Sequence, residues 1–290
     1  MLGASTLLGK VMNRTGWMAL LLAVAGAAHA GPPMAARKAM EASMLVTGEI
    51  LVDAQGNVSR YEIDKREKIP AGVQKFLDEG IAAWQFEPGT VDGRAAAARN
   101  RMSLLLVAQP IDEENIRMEL RSTSFFPIKP AGYELEPVDM DPPSYPMLAA
   151  QLGVSGTVYL ALKIGADGKV EDVVSEQVNL RNYGSASEMN RWRSMLAHNA
   201  AAKARQWRFR PPHQGDQADD GTWSVRVPVA YSFDRGQDNY GRWQGYMPGP
   251  LQRAPWATDD DVVPDALADG ALYPIGKSGG LRLLPQQRGS

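Results

Sequence analysis

The chain carries the same pattern twice, and this internal repeat constrains its fold more than any other feature. Residues 43–58 (SMLVTGEILVDAQGNV) align without a gap with residues 155–170 (SGTVYLALKIGADGKV). The sequence WQFEP at 84–88 returns as WRFRP at 207–211. Further on, alternating apolar residues of the first copy fall on valines of the second: Met102, Leu104 and Leu106 on Val225, Val227 and Val229. Because three matches follow in the same order, we interpret them as a duplicated structural unit.

Each copy is predicted to begin with a hairpin and to continue with a helix. Large apolar residues alternate with other residues along 158–164, which is typical of a strand with one buried face, and Asp167-Gly168 is a favoured two-residue turn. Ser185 and Glu188 have the spacing of a capping box that opens a helix. In the first copy, apolar residues recur at helical spacing, and they form one stripe: Val73, Phe76, Leu77, Ile81 and Trp84.

The pattern predicts an α+β fold of two modules, each a helix packed on a three-stranded antiparallel sheet. The final strands are expected at 101–108 and at 223–233, and a short helix over 145–152 precedes the second copy. The chain then divides into a signal segment (1–30), a reduced module (43–109), a linker (110–141), an intact module (142–233) and a tail (234–290). The linker is expected to contain one short strand or helix near 116–120. The tail is rich in Gly and Pro, and it is expected either to lie extended across a module or to be flexible.

The N-terminal segment has the layout of a secretory signal peptide. Two basic residues precede an apolar run at 17–28, and Ala-His-Ala at 28–30 matches a small-x-small cleavage site. The run is shorter than the ~20 residues that span a bilayer. We therefore expect cleavage after Ala30 and export to the periplasm, with an uncleaved inner-membrane anchor as the alternative.

The composition argues against several classes of function. The chain has no cysteine, which excludes disulfides and thiol chemistry, and a net charge of −2 argues against nucleic-acid binding. His198 and His213 have no acid at ligand spacing, and the acidic run 259–261 lacks the Gly and Glu of a calcium loop. We therefore expect no enzyme activity, no metal site and no cofactor.

A cluster of basic residues lies in the second copy, and Glu188 is the one acidic residue between positions 181 and 210. It is expected to bind an anionic lipid, glycan or acidic partner, to form a solvated helix face, or to pair with the acidic linker. The cluster consists of Arg181, Arg191, Arg193, Lys203, Arg205, Arg208 and Arg210.

The motifs of the second copy, taken in order, resemble the C-terminal domain of TonB-family proteins, the periplasmic arms that contact outer-membrane receptors. The resemblance covers residues 142–233 well and residues 43–109 as a degenerate copy. It rests on Pro143-Ser-Tyr-Pro146, Gly156-x-Val158, the Asp167-Gly168 turn, Trp207-Arg-Phe209-x-Pro211 and Val227-Pro228-Val229-x-Tyr231-x-Phe233.

The resemblance implies that the chain binds a protein partner. In the family, a short receptor peptide adds itself as a strand to the edge of the sheet, and Pro228, which lacks an N–H group, suits an edge strand. We therefore expect a receptor-like peptide of an envelope or outer-membrane partner to pair with residues 224–233. The resemblance also implies a link to TonB-dependent transport. The partner-binding side chains are predicted to be Arg226, Val227, Val229, Tyr231, Ser144 and Tyr145.

The sequence departs from the energy transducers of the family. Residues 12–30 hold no Ser…His pair of the kind that contacts the proton-driven complex, and no long Pro-rich spacer is present. Ser144 stands where the family often has Gln. The alternative hypothesis is a structural scaffold or dimerisation protein of the envelope, in which Pro228 only protects the edge, the two copies' edges cover each other, or the chain forms a homodimer.

Overall fold

The computed structural model describes residues 9–13, 41–91, 94–110, 115–215, 218, 220–233, 239–257, 264–268, 271–276 and 281–284. The fold is mixed α+β with mostly antiparallel sheets, as predicted. The chain divides into two compact units: unit 1 comprises 1–127, 237–246 and 279–290, and unit 2 comprises 128–236 and 247–278.

The strands and helices follow one another in chain order, and short 3₁₀ turns at Arg66–Lys68 and Pro264–Ala266 complete the regular structure of the described residues. The elements are β1 (Gly9–Asn13), β2 (Glu41–Val52), β3 (Val58–Ile63), α1 (Ala71–Ile81), β4 (Thr90–Val91), β5 (Arg94–Ala95), β6 (Ala98–Pro110), β7 (Asn115–Pro127), β8 (Glu136–Asp139), α2 (Met147–Gln151), β9 (Gly156–Gly165), β10 (Val170–Leu180), α3 (Ala186–Ala204), β11 (Arg208–Arg210), β12 (Thr222–Tyr231), β13 (Gln244–Tyr246) and β14 (Tyr273–Pro274).

Unit 1 contains the hairpin, helix and strand predicted for the first copy. The strands lie in the order β1-β7-β6-β2-β13, and β3 pairs with the second half of β2 on the same side as β13. The predicted apolar stripe of α1 is buried in the core. Trp84, Phe86 and Phe125 pack there edge to face, with ring centroids 4.9–6.3 Å apart.

The structure corrects the interpretation of residues 110–141 as a linker. Residues 115–127 form β7, which pairs with β6 along its whole length. The buried residues of β7 explain why this segment joins the sheet, since Met118 and Leu120 face the core of unit 1. The open edge that a three-stranded sheet would leave on β6 is therefore occupied.

Unit 2 contains the same succession of elements. Its sheet has the order β10-β9-β12-β14, and α3 packs against β10 and β9. The capping box is present: the Ser185 hydroxyl accepts from the Glu188 N–H at 3.3 Å, and the Glu188 carboxylate accepts from the Ser185 N–H at 2.8 Å. The helix accordingly begins at Ala186.

One contact explains why a turn glycine and a Trp-x-Phe motif occur together in both copies. In the second copy, the Phe209 N–H donates to the Gly168 carbonyl at 2.8 Å, and in the first copy Phe86 donates to Gly56 at the same distance. Both glycines have a positive φ, 74° and 89°. A Cβ at Gly168 would lie 2.0 Å from the Phe209 carbonyl oxygen, so only glycine fits.

The predicted signal peptide lies largely outside the described residues. Of residues 1–30, the structure describes Gly9–Asn13, which forms β1 and pairs with β7; the signal-peptide interpretation did not include this strand. Cleavage stays a prediction. Among the described residues, no helix combines the length and the apolar character that crossing a membrane requires.

The close approach between turn and Trp-x-Phe segment yields a stability prediction. We expect Gly168→Ala to lower the free energy of unfolding by roughly 2–5 kcal/mol, because it adds a backbone clash to the cost of a positive φ. Gly221→Ala is the matched control, since Gly221 has φ 69° but no atom within 4 Å of the position that a Cβ would take. Its cost should be about 1–2 kcal/mol. Urea titration measures both, and equal losses in the two variants would contradict the contact's role.

Candidate functional site

The predicted binding strand, β12, lies inside the sheet of unit 2. It pairs with β9 over its whole length, from Thr222–Gly165 to Tyr231–Gly156, without a register shift. On its other side, β14 pairs with Val225 and Arg226. Among the described residues, no strand pairs with 228–231 on that second side. Within the part of the chain that the structure describes, this second side of β12 is thus paired at its middle and not at its C-terminal end.

The structure corrects the role predicted for four side chains of β12. Arg226, Val227, Val229 and Tyr231 are all buried, with 1–7% of their surface exposed. Val227, Val229 and Tyr231 share the face of Val158 and Leu160, which packs towards α3, whereas Arg226 lies on the opposite face under residues of the tail. Because both faces of the strand are covered, these side chains cannot offer surface pockets to a partner.

The main chain of β12 still has hydrogen-bonding groups directed away from β9. The Ser224 carbonyl accepts from the Ile275 N–H at 2.8 Å, so the groups of Ser224 face β14. Since the direction alternates along an antiparallel strand, the groups of Pro228 and Ala230 face the same side. Because an N–H at position 228 would point away from β9, Pro228 loses no hydrogen bond to β9. Ala230 directs both its N–H and its carbonyl away from β9.

Tyr145, a predicted site residue, joins the end of β12 to the segment before α2. Its ring packs edge to face on Tyr231 at 5.4 Å and stacks on Phe233 at 4.8 Å. The Tyr145 hydroxyl donates to the Val154 carbonyl at 2.5 Å, and the Tyr231 hydroxyl donates to the Asn199 side-chain oxygen at 2.6 Å. Burial raises the pKa of both tyrosines, so both remain protonated hydrogen-bond donors.

Exposed apolar side chains lie on and next to α2 and just beyond β12, and Tyr145 connects the two places through its ring contacts with Tyr231 and Phe233. We call them, together with the half-buried Tyr145, the α2 patch. Ser144, the remaining predicted residue, is exposed beside Tyr145. The exposed members are Met147 (77%), Leu148 (52%), Leu152 (54%) and Phe233 (51%). Large apolar side chains exposed together are characteristic of interaction sites.

Part of the Gly- and Pro-rich tail is fixed to the edge of β10. We call residues 247–254 the anchor segment. Met247 and Leu180 exchange two main-chain hydrogen bonds, at 2.9 and 3.1 Å. Gly249 donates to the Asn179 side chain at 2.9 Å and accepts from the Gln177 side chain at 3.1 Å. The open question about the tail is thus decided for these residues, which lie extended along the sheet.

A buried ion pair lies beneath the anchor segment. Arg226 donates to both oxygens of Glu176, at 2.5 and 3.2 Å, and the two side chains are 1% and 0% exposed. Glu176 also accepts the N–H of Ala254 with its carboxylate at 3.0 Å and that of Gln252 with its main-chain carbonyl at 2.7 Å. The pair therefore ties β10, β12 and the anchor segment together.

Sequence reasoning named Arg226 for partner binding and missed Glu176. Glu176 is the extra residue of a β-bulge between Ser175 and Gln177, and its side chain lies on the tail-covered face, which it shares with Val174. The sequence gives no local signal for such a bulge.

The remaining candidates for chemistry are scattered over the surface of unit 2. The exposed His198 ring lies 2.6 Å from the Ser194 carbonyl of its own helix. The main-chain N–H of His213 donates to the Gly132 carbonyl. The described residues contain no group of three acidic or histidine side chains that could hold a metal ion. The acidic run 259–261 lies outside them.

Two members of the basic cluster pair with acids of the segment before α2. Arg210 lies 3.0 Å from Glu136, and Lys203 lies 4.0 Å from Asp141. A third, Arg193, donates to the Val178 and Pro248 carbonyls and so helps to hold the anchor segment. These contacts favour the structural alternative for this part of the cluster.

The buried ion pair yields a second stability prediction. Glu176→Gln should lower the free energy of unfolding by about 3–5 kcal/mol, because it removes the carboxylate charge that compensates the buried Arg226 guanidinium. Glu171→Gln is the matched control: Glu171 pairs with Lys163 at 3.6 Å on the surface, and its loss should cost about 1 kcal/mol or less. Urea titration compares the variants, and similar losses would show that the buried pair has no special importance.

Comparison of the chain with protein-family models, with curated proteins and with solved structures gives no match. The resemblance to the TonB C-terminal domain therefore rests on the motifs quoted from the sequence.

Proposed function

We propose that the chain is a non-catalytic, protein-binding component of the periplasm, which takes an extended segment of an envelope protein as an additional strand on β12. Binding begins at the C-terminal end of β12 and extends over the α2 patch. No cofactor or metal takes part in this function.

The end of β12 next to Tyr145 and Phe233, which no strand of the described residues pairs with on the side away from β9, is the observation that carries the proposal. Ala230 is exposed and presents an N–H and a carbonyl away from β9, and Phe233 follows it with half of its surface exposed. Main-chain groups of this kind supply affinity in strand addition, whereas side-chain contacts supply specificity. The buried side chains of β12 supply neither, so specificity comes from Ser144, Tyr145 and the rest of the α2 patch.

The TonB resemblance extends the proposal to a class of partner. A receptor-like segment of an outer-membrane protein is the partner that the resemblance implies, and TonB-dependent transport is the process in which such a segment functions. The sequence lacks the features by which the family couples to the proton-driven complex, so the proposed role is partner binding rather than force transmission.

The alternative function, an envelope scaffold that binds no peptide, is favoured by a different observation. β7 covers the edge of β6, and β14 covers Val225 and Arg226 of β12. When the main-chain groups at the edges of a sheet already have hydrogen-bond partners within the chain, the sheet needs no strand from another protein. Sedimentation velocity distinguishes this function if the chain forms a stable homodimer that excludes partner binding.

Site-specific photocrosslinking in cells that produce the chain tests the proposed function. A benzoylphenylalanine at Phe233 should form an adduct with one envelope protein, through an extended segment that mass spectrometry identifies. Ala230→Pro should reduce the adduct at least fivefold, because it removes the outward N–H at an edge position where proline is tolerated. Ala230→Ser, which retains the N–H, should not.

Tyr133 provides the control position, because it is an aromatic residue of unit 2 with 36% of its surface exposed and lies outside the α2 patch. The same crosslinker at Tyr133 should not give this adduct. The proposed function is contradicted if position 233 yields no adduct, if both positions yield the same one, or if the adduct is unaffected by Ala230→Pro in a variant with an unchanged melting temperature.

A further inference from the structure

The tail holds the sheet of unit 2 by two contacts of unequal strength. The anchor segment is bound to β10 by main-chain bonds of Met247 and Gln252, by the side chains of Gln177 and Asn179 and by Arg193. At the other edge, β14 is two residues long and pairs with Val225 and Arg226. Among the described residues, the second contact therefore involves a shorter paired segment than the first.

The sequence of β14 fits the edge of β12 position by position. Ile275 donates to Ser224, so these two residues form a hydrogen-bonded pair. Pro274 is the next residue and lies opposite Val225, at a position where no hydrogen bond crosses, so its missing N–H costs nothing. Ile275 packs against the small cluster of Ala161, Ala254 and Ala257.

Tyr273 supplies the remaining contact of β14. Its ring is 8% exposed, and its hydroxyl accepts from the Ala268 N–H at 2.8 Å. In an antiparallel extension of β14, residue 271 would lie beside Pro228, but residues 271 and 272 are not in a strand. β14 thus occupies the edge only in part.

We infer that β14 is an intramolecular occupant of the partner's binding edge, which a partner strand replaces while the anchor segment stays in place. This inference rests on the proposed function of β12. The sequence Tyr273-Pro274-Ile275 also indicates the kind of segment that the edge accepts: an extended stretch with an aromatic residue, a residue that needs no N–H, and an aliphatic residue whose N–H reaches Ser224.

Replacement extends the edge that a partner can use. Once β14 leaves, the outward main-chain groups of Ser224, Arg226, Pro228 and Ala230 form one continuous row that ends at the α2 patch. A segment that continues beyond the aromatic residue can pair with the whole row, whereas β14 pairs with its first part only. The longer partner strand therefore gains hydrogen bonds that the chain's own segment does not make.

An engineered disulfide tests the replacement in the full chain. The chain contains no cysteine, so Ser224→Cys with Ile275→Cys permits a single disulfide. Opposed residues of a hydrogen-bonded pair have Cα atoms about 5.5 Å apart, within the range that a disulfide bridges. The probe is a fluorescein-labelled peptide with the sequence of residues 268–277 (ADGALYPIGK), and fluorescence anisotropy measures its binding.

The reduced protein should bind the peptide at least tenfold more tightly than the oxidised protein, since the disulfide keeps β14 on the edge. A peptide with an N-methyl group on the isoleucine equivalent to Ile275 should bind at least tenfold more weakly, because it cannot donate to Ser224. The chain without the two cysteines serves as the redox control. Equal affinity of the reduced and oxidised proteins, or no binding to the reduced protein at millimolar peptide, overturns the inference.

These outcomes are separate from those of the photocrosslinking experiment. If the peptide exchanges but position 233 yields no adduct, the edge can be opened and the proposed cellular function fails. If an adduct forms but the peptide does not exchange, the proposed function stands on the free end of β12, and the replacement of β14 fails.

Discussion

The edges of a β-sheet carry main-chain N–H and carbonyl groups that need partners, and this requirement governs the structure of both units. In unit 1, β7 pairs with β6 throughout, and β13 and β3 share the outer side of β2. Between these two strands, the Tyr240 hydroxyl accepts from the Thr47 N–H at 3.0 Å and donates to the Thr47 carbonyl at 3.1 Å. The Thr47 carbonyl also accepts from the Asp64 N–H at 2.9 Å, so the Tyr240 side chain supplies the acceptor for the Thr47 N–H.

In unit 2 the tail supplies hydrogen-bond partners to both edge strands of the sheet, and it supplies more of them to β10 than to β12. The anchor segment satisfies the end of β10 and covers the Arg226–Glu176 pair, whose burial makes that part of the tail difficult to remove. The edge of β12 receives only β14, and 228–231 receives no strand among the described residues. The difference between a fixed and a weakly held part of one tail is the basis for proposing that this edge takes a partner.

The sequence predicts those parts of the fold that depend on local patterns. Alternation along 158–164 identifies β9, the Ser185–Glu188 spacing locates the start of α3, and the stripe from Val73 to Ile81 places the buried face of α1. These features need no information beyond neighbouring residues.

The parts that the sequence did not reveal depend on long-range main-chain contacts. The anchor segment lies on the sheet through groups of Met247, Gly249 and Ala254, which leave no periodic signal in a Gly- and Pro-rich stretch. Alternation in β12 predicts one buried face, but the tail covers the second face as well, so Arg226 is buried with Glu176 rather than exposed to a partner. Burial of a strand on both sides is a tertiary property.

Hydrogen exchange of individual amides in the isolated chain, followed by NMR, tests most directly whether the two parts of the tail differ. The account predicts slow exchange at Gly249 and Ala254 and exchange at least a hundredfold faster at Ile275 and Ala230. Protection of Ile275 equal to that of Ala254 would show that β14 is as firmly held as the anchor segment, and it would contradict the account.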